Sequence, residues 1–334
     1  MARPHRQRKL WKISRFEQVQ EFAGHSARFT DVRDDWYGIT LGYRPAKNIG
    51  IGFSPFLSVR SLKSASESLR GDVLANVSQN ASTSIQRDYS FTLYSLLMKI
   101  GIYYEGKPFS LGLAVTTPSV RVTGTGSFRG SATVFNQDRD GDGELEAILH
   151  VTDPQDSKAR YKTPLAISVG ASWKADTRTI YFSAEWYNKV APFSPIDAQP
   201  PTTFVREDDL ADNLLIETNR VINFALGLEQ RLSSKSLLFF SALTDLSAIA
   251  KSNDVLISMA DRDLFHVTAG TSVTISRLTL TTGLGYVYGT EQTDVPINFL
   301  NPHESNYLLG EPAFEDVEYR GLKIIIGLEL APAQ

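Results

Sequence analysis

The densest run of chemistry-bearing side chains is NQDRDGDGELE, residues 136–146, where Asp138, Asp140, Asp142 and Glu144 alternate with other residues and Gly141 and Gly143 permit tight turns. Carboxylates at alternate positions with glycine between them can wrap oxygen ligands around Ca2+. With Asp138 as the first ligand, Asp140 and Asp142 take the third and fifth positions and Gly143 the sixth. The twelfth then falls on Leu149, where an EF-hand places a bidentate Glu, so this is not an EF-hand. Two readings stand: a loop holding Ca2+ through Asp138, Asp140, Asp142 and Glu144, and a solvated acidic turn. The five histidines, His5, His25, His150, His266 and His303, have no spacing that suggests a metal pair. No Ser–His pair is specified, and the chain has no cysteine to serve as thiolate ligand or nucleophile. The expectation is a non-enzyme that requires no cofactor, with Ca2+ in a loop as the only metal.

The other charged residues that stand out sit inside alternating segments. Lys99, Lys174, Glu185, Lys189, Asn223, Glu229, His266 and Lys323 each fall on the polar side of a run whose alternate members are apolar. A period of two gives a strand two unlike faces, so these side chains are expected on one common wall. They read either as an ion-pair network stabilising that wall or as the polar lining of a solute path.

The elements that position them are hairpins. Residues 36–43 and 49–60, 89–104 and 109–122, 162–174 and 179–189, 220–230 and 236–245, and 264–275 and 278–288 form five pairs of alternating segments, and residues 318–330 add a last strand. In the second pair Leu96, Met98, Ile100, Ile102 and Tyr104 alternate with polar or small residues, as do Phe109, Leu111, Leu113 and Val115. Within these pairs the connections are short, whereas long polar stretches such as residues 61–87, read here as a loop, join one pair to the next. That asymmetry is the habit of outer-membrane barrels, with short periplasmic turns and longer outward loops. Trp36, Tyr43, Tyr89, Tyr104, Trp173, Trp186, Tyr187, Tyr286 and Tyr288 fall near strand ends and are expected in two interfacial girdles.

Composition agrees. Of 334 residues 42% are hydrophobic and 10% aromatic, too many for a disordered chain, yet no run of about 18 apolar residues exists to make a spanning helix. Barrel strands escape that test because only alternate residues meet lipid. A formal charge of −3 with both signs mixed gives no case for nucleic acid. Basic residues cluster at Arg3, Arg6, Arg8, Lys9 and Lys12, but no unbroken apolar core follows, so this start does not read as a secretory signal. Ile13, Phe16, Val19 and Phe22 recur at three, closer to a helix or an irregular plug than to a strand.

The hairpin KTPLAISVGASWKADTRTIYFSAEWYNKVAPFSP, residues 162–195, resembles a recurrent hairpin of the FadL family of outer-membrane transporters, and FSLGLAVTTPS, residues 109–119, resembles a Gly-alternating strand of the same barrels. The resemblance implies a monomeric barrel that passes long-chain fatty acids or aromatic hydrocarbons. Family members have about fourteen strands and an N-terminal hatch with an Asn-Pro-Ala motif that this sequence lacks, which points to an N-terminally incomplete chain.

The expected fold is therefore an all-β, antiparallel, up-and-down transmembrane barrel of about 12 to 14 strands over residues 36–334, with residues 1–35 a remnant of a plug or a first strand. The expected function is passive uptake of hydrophobic small molecules across the bacterial outer membrane, by a monomer whose partners are that solute and membrane lipid. The alternatives are a structural or adhesive barrel acting through its loops and a water-soluble β-sandwich or barrel.

Overall fold

The computed structural model describes residues 21–73, 82–137, 144, 146–196, 216–249, 262–295 and 313–330. Fourteen of its strands form one antiparallel sheet. They are β1 (Glu21–Gly38), β2 (Leu41–Ala46), β3 (Ile49–Val73), β4 (Ser82–Glu105), β5 (Phe109–Thr116), β6 (Val120–Gln137), β7 (Glu146–Lys158), β8 (Ala166–Lys174), β9 (Arg178–Tyr187), β12 (Val221–Ser233), β13 (Ser236–Asp245), β14 (Arg262–Ile275), β15 (Leu278–Val295) and β16 (Ala313–Leu330). The short β10 (Val190–Phe193) and β11 (Ile216–Thr218) make a separate two-stranded sheet. The path across the large sheet is β1-β3-β4-β5-β8-β9-β12-β13-β14-β15-β16; β2 continues β1 along β3, and β6 and β7 continue β5 and β8. Among the described residues β1 and β16, the two ends of this path, do not pair with each other. The chain is all-β and meanders up and down, as the alternation predicts.

Among the described residues every close turn lies at one end of the sheet: residues 47–48, 106–108, 175–177, 234–235 and 276–277. Registers then place the alternating apolar residues on a single face. Ile102 faces Leu113, Leu113 faces Val169, Val169 faces Ala184, and Ala184 faces Phe224. Farther along, Ala242 faces Val267, Val267 faces Tyr286, and Tyr286 faces Leu322. Most of the large apolar side chains on this outward face are exposed.

The outward apolar run does not extend the full length of the long strands. On β4, Tyr94, Leu96, Met98, Ile100, Ile102 and Tyr104 are outward and exposed, whereas outward Gln86, Asp88, Ser90 and Thr92 are polar. The opposite face does the reverse: Lys99 and Gly101 lie at the height of the outward apolar run, and Tyr89, Phe91 and Leu93 are buried above it. Residues 94–104 cover about 33 Å along the strand at about 3.3 Å per residue, or about 25 Å of bilayer at a tilt of about 40°. That is the height of a barrel's lipid-facing band. Above it the sheet is built like a water-soluble one, with its oil inside.

That inversion corrects two expectations. Residues 61–87 do not form one long loop: β3 runs to Val73 and β4 starts at Ser82, and the segment looked like a loop because its outward side is polar once it has left the band. Leu62 on its inner side is 1% exposed and packs with Tyr89, Phe91, Leu93, Phe128 and Ile196. Tyr89, expected in a girdle, is in this core, its ring 4.7 Å from that of Phe128. The three-residue spacing that runs into Phe22 does not make a helix there, because residues 21–38 form β1; residues 8–20 lie outside the described residues. The inner core is closed by residues 194–196. Ile196 lies so close over Gly126 that a Cβ there would come within 2.9 Å of its side chain.

Candidate functional site

At the height of the outward band, two neighbouring rows on the inner face carry mostly small side chains. One row across the sheet reads Gly50, Tyr103, Gly112, Gly170, Ser183, Ala225, and the row beside it reads Gly42, Gly52, Gly101, Ala114, Ser168. A Cβ at Gly42, Gly50 or Gly52 would meet nothing within 4 Å. These glycines are not making room for a packed neighbour, unlike Gly126; they leave open space. Two adjoining concavities of about 650 and 660 Å3 lie here, sharing Tyr103, Gly112, Gly170 and Ser183.

The charged candidates distribute around this trough. The registers put Lys99, Lys174, Glu185, Asn223, Glu229, His266 and Lys323 on the inner face, opposite respectively Ser54, Thr179, Ser168, Glu185, Thr179, Leu243 and Gly285. Glu185 and Asn223 are direct cross-strand neighbours, and Lys174, Thr179 and Glu229 share one row. Lys323 and Asp245 are near His266, whose Nε2 is buried with no hydrogen-bond partner among the described residues. Lys99 stands apart from the other charges, next to Thr116. Lys189 is not on a strand: it lies in the break between β9 and β10, its Nζ 2.6 Å from Glu217 Oε1. Asp138, Asp140 and Asp142 lie outside the described residues, and Glu144 alone of that set is described. Among the described residues no group of three or more His, Cys, Asp or Glu could hold a metal ion.

Two carboxylates on β9 and β12 are held by hydroxyls. Ser168 Oγ donates to Glu185 Oε1 at 2.8 Å. The Tyr181 hydroxyl donates to Glu229 Oε2 at 3.0 Å. Tyr181, with Tyr103 and Phe239, went unmarked by the sequence reading, which followed the apolar alternation outward. Their signal was their parity: Tyr103 and Tyr181 lie two residues from Gly101 and Ser183, on the inner side of β4 and β9.

Above the trough the inner face holds a buried ion pair. Arg60 donates to Asp34 Oδ2 from Nη2 at 2.6 Å and from Nε at 3.1 Å, Ser58 Oγ donates to Asp34 Oδ1 at 2.8 Å, and the guanidinium lies 3.7 Å from the centre of the Tyr161 ring. Tyr161 in turn meets Phe193 edge-on at 5.5 Å. This cluster ties β1 and β3 to the 160s segment and to β10, at the level where β5/β6, β7/β8 and β9/β10 are each interrupted.

No family model matches the chain, and no curated protein matches it. Among solved structures it is similar to the toluene transporter TbuX of Ralstonia pickettii, with 11% identity over 96% of this chain and 80% of that one at a TM-score of 0.48. It is also similar to a FadL homologue of Pseudomonas aeruginosa, with 11% identity over 92% and 74% at 0.40, and to the toluene transporter TodX of P. putida, with 9% identity over 95% and 91% at 0.41.

Proposed function

We propose that this chain is a bacterial outer-membrane β-barrel that lets hydrophobic small molecules, long-chain fatty acids or aromatic hydrocarbons, cross passively and without catalysis. The observation that carries the reading is the pairing of faces at one height: an exposed apolar band about 25 Å tall outside, and a glycine-floored trough inside. Soluble monomers rarely expose a contiguous apolar patch of more than a few hundred Å2, and here the band covers β3, β4, β5, β8, β9 and β12 to β16. Lipid is the solvent that such a face fits. The apolar core of Leu62, Phe91, Leu93 and Phe128 lies on the inner face at the long-loop end, where a hydrophobic solute would leave water.

Liposomes loaded with the detergent-refolded full chain should take up toluene or oleate faster than empty liposomes. Uptake equal to that of empty liposomes contradicts transport.

A second reading has its own observation. Ile196 and its neighbours fill the inner face over Gly126, as a plug would, which fits a structural or adhesive barrel that acts through its outward loops. Deleting residues 197–215 should then abolish partner binding and leave solute flux unchanged; under the uptake reading the same deletion raises flux.

A further inference from the structure

The two concavities of the trough differ in charge: Arg44, paired with Glu105 at 3.2 Å, lines the 650 Å3 one, and an acid lines the other. The 660 Å3 concavity is lined on the inner face by the rings of Tyr103, Tyr181 and Phe239 and by a single ionisable acid, Glu229; no lysine or arginine lines it. Glu229 accepts a hydrogen bond from the Tyr181 hydroxyl at 3.0 Å and makes no ion pair among the described residues. Lys174 stands across Thr179 in the same row, two strands away, and is not paired with it. Small residues make the floor between the rings: Gly112 and Gly170 lie between Tyr103 and Tyr181, and Gly227 lies beneath Tyr181.

We propose that this concavity is a binding subsite for an organic cation with an apolar body, an arylammonium or alkylammonium ion, whose charge meets Glu229 while its body lies against Tyr103, Tyr181 and Phe239. Aromatic faces attract cations through the ring quadrupole, and tyrosine rings beside a carboxylate add that attraction to a direct charge. A carboxylate-bearing solute meets Glu229 with the wrong sign and finds no lysine or arginine in the lining of the concavity, since Lys174 across Thr179 and Arg231 two residues along β12 both lie outside it. An unpaired acid that is only hydrogen-bonded by a neutral hydroxyl keeps its charge available to a ligand, whereas the Arg60–Asp34 pair above has already satisfied its own. The inference rests on the uptake reading for a solute to reach this face, and it narrows that reading from hydrophobic compounds in general to cationic amphiphiles at this position.

The test is titration calorimetry of the full chain in non-ionic detergent with benzyltrimethylammonium, benzyl alcohol and benzoate. The cation is expected to bind at least about tenfold more tightly than benzoate, a difference of about 1.4 kcal/mol. Glu229→Gln should weaken the cation about tenfold and leave benzyl alcohol unchanged, and comparison within one detergent cancels partitioning into the micelle. Glu229→Lys should reverse the order in favour of benzoate; if that variant does not fold, as judged by far-ultraviolet circular dichroism, the Gln variant decides. Benzoate binding as tightly as the cation, or a cation affinity that survives Glu229→Gln, overturns the proposal. Toluene flux into liposomes, measured on the same preparations, separates the two claims. Flux without cation preference sinks only the subsite, whereas cation preference without flux sinks uptake.

Discussion

On the outward face of β9 and β12 the rings of Phe182 and Phe224 lie 6.3 Å apart at an angle of 33°, and each side chain is close to half exposed, at 45% and 48%. Two phenylalanines in contact would be the seed of a core in a water-soluble sandwich, yet no second layer among the described residues covers them. Leu280 on β15 is likewise exposed, and Ile167 on β8 is half-buried by its strand neighbours alone. The two faces of one strand should therefore respond to charge in opposite ways.

Leu226 is 57% exposed in the middle of the outward run of β12, and Ser183 is exposed on the inner face of β9. Leu226→Arg is expected to cost about 2–4 kcal/mol of unfolding free energy in bilayers, the depth-dependent cost of a cation facing lipid near the midplane. Ser183→Arg should stay within about 0.5 kcal/mol, as an exposed polar substitution does. Denaturant unfolding in phospholipid vesicles measures both.

The Arg60–Asp34 pair makes a separate prediction, because both side chains are largely withdrawn from solvent, with 16% and 18% exposed. Arg60→Leu alone leaves Asp34 without its counter-charge and is expected to cost about 3–5 kcal/mol. The double variant Asp34→Leu with Arg60→Leu should lie closer to wild type than Arg60→Leu does, since a missing pair costs less than half of one. A double-mutant cycle by denaturant unfolding reads the difference.

Asp88 lies on the outward face above Tyr94, clear of the band. Burial pushes its carboxyl above the usual range, opposed by Arg129 and reinforced by Glu67. A folded-state value above the unfolded one means that the fold holds the proton more tightly. Its contribution to stability is present below the unfolded value, about 3.9, and is lost as pH rises through the folded one. Asp88→Asn should then raise the denaturation midpoint at pH 7 and have little effect at pH 3.5. Equal effects at the two pH values would contradict this assignment.

Most of the band was legible in the sequence, because lipid contact imposes a period of two that Leu96, Met98, Ile100 and Ile102 carry without exception. The upper sheet was not legible, for a physical reason. Above Tyr94 the apolar residues switch to the inner face, so Leu62 and Tyr89 break the parity that identified the strands below, and outward Ser61, Lys63 and Glu67 read as loop. β3 passes through Pro55 at the level of Ile39 and Thr40, where β1 and β2 part and no neighbouring ladder bond is needed. Inner-face parity assigned Lys99, Glu185 and Glu229 to one wall. It could not reveal the pairing of Glu229 with Tyr181, because contact between β9 and β12 depends on the chain reversal over residues 188–220, which no local period encodes.

The central claim is that lipid covers the outward face, and Trp173 and Trp186 report on it directly, since both lie on that face at opposite ends of the β8–β9 hairpin. A variant with Trp11 and Trp36 replaced by Phe, reconstituted in vesicles of lipid brominated along the acyl chain, should lose most of its tryptophan fluorescence, and acrylamide in the water should quench it little. Fluorescence unaffected by brominated chains and quenched by acrylamide would place those indoles in water and contradict the account.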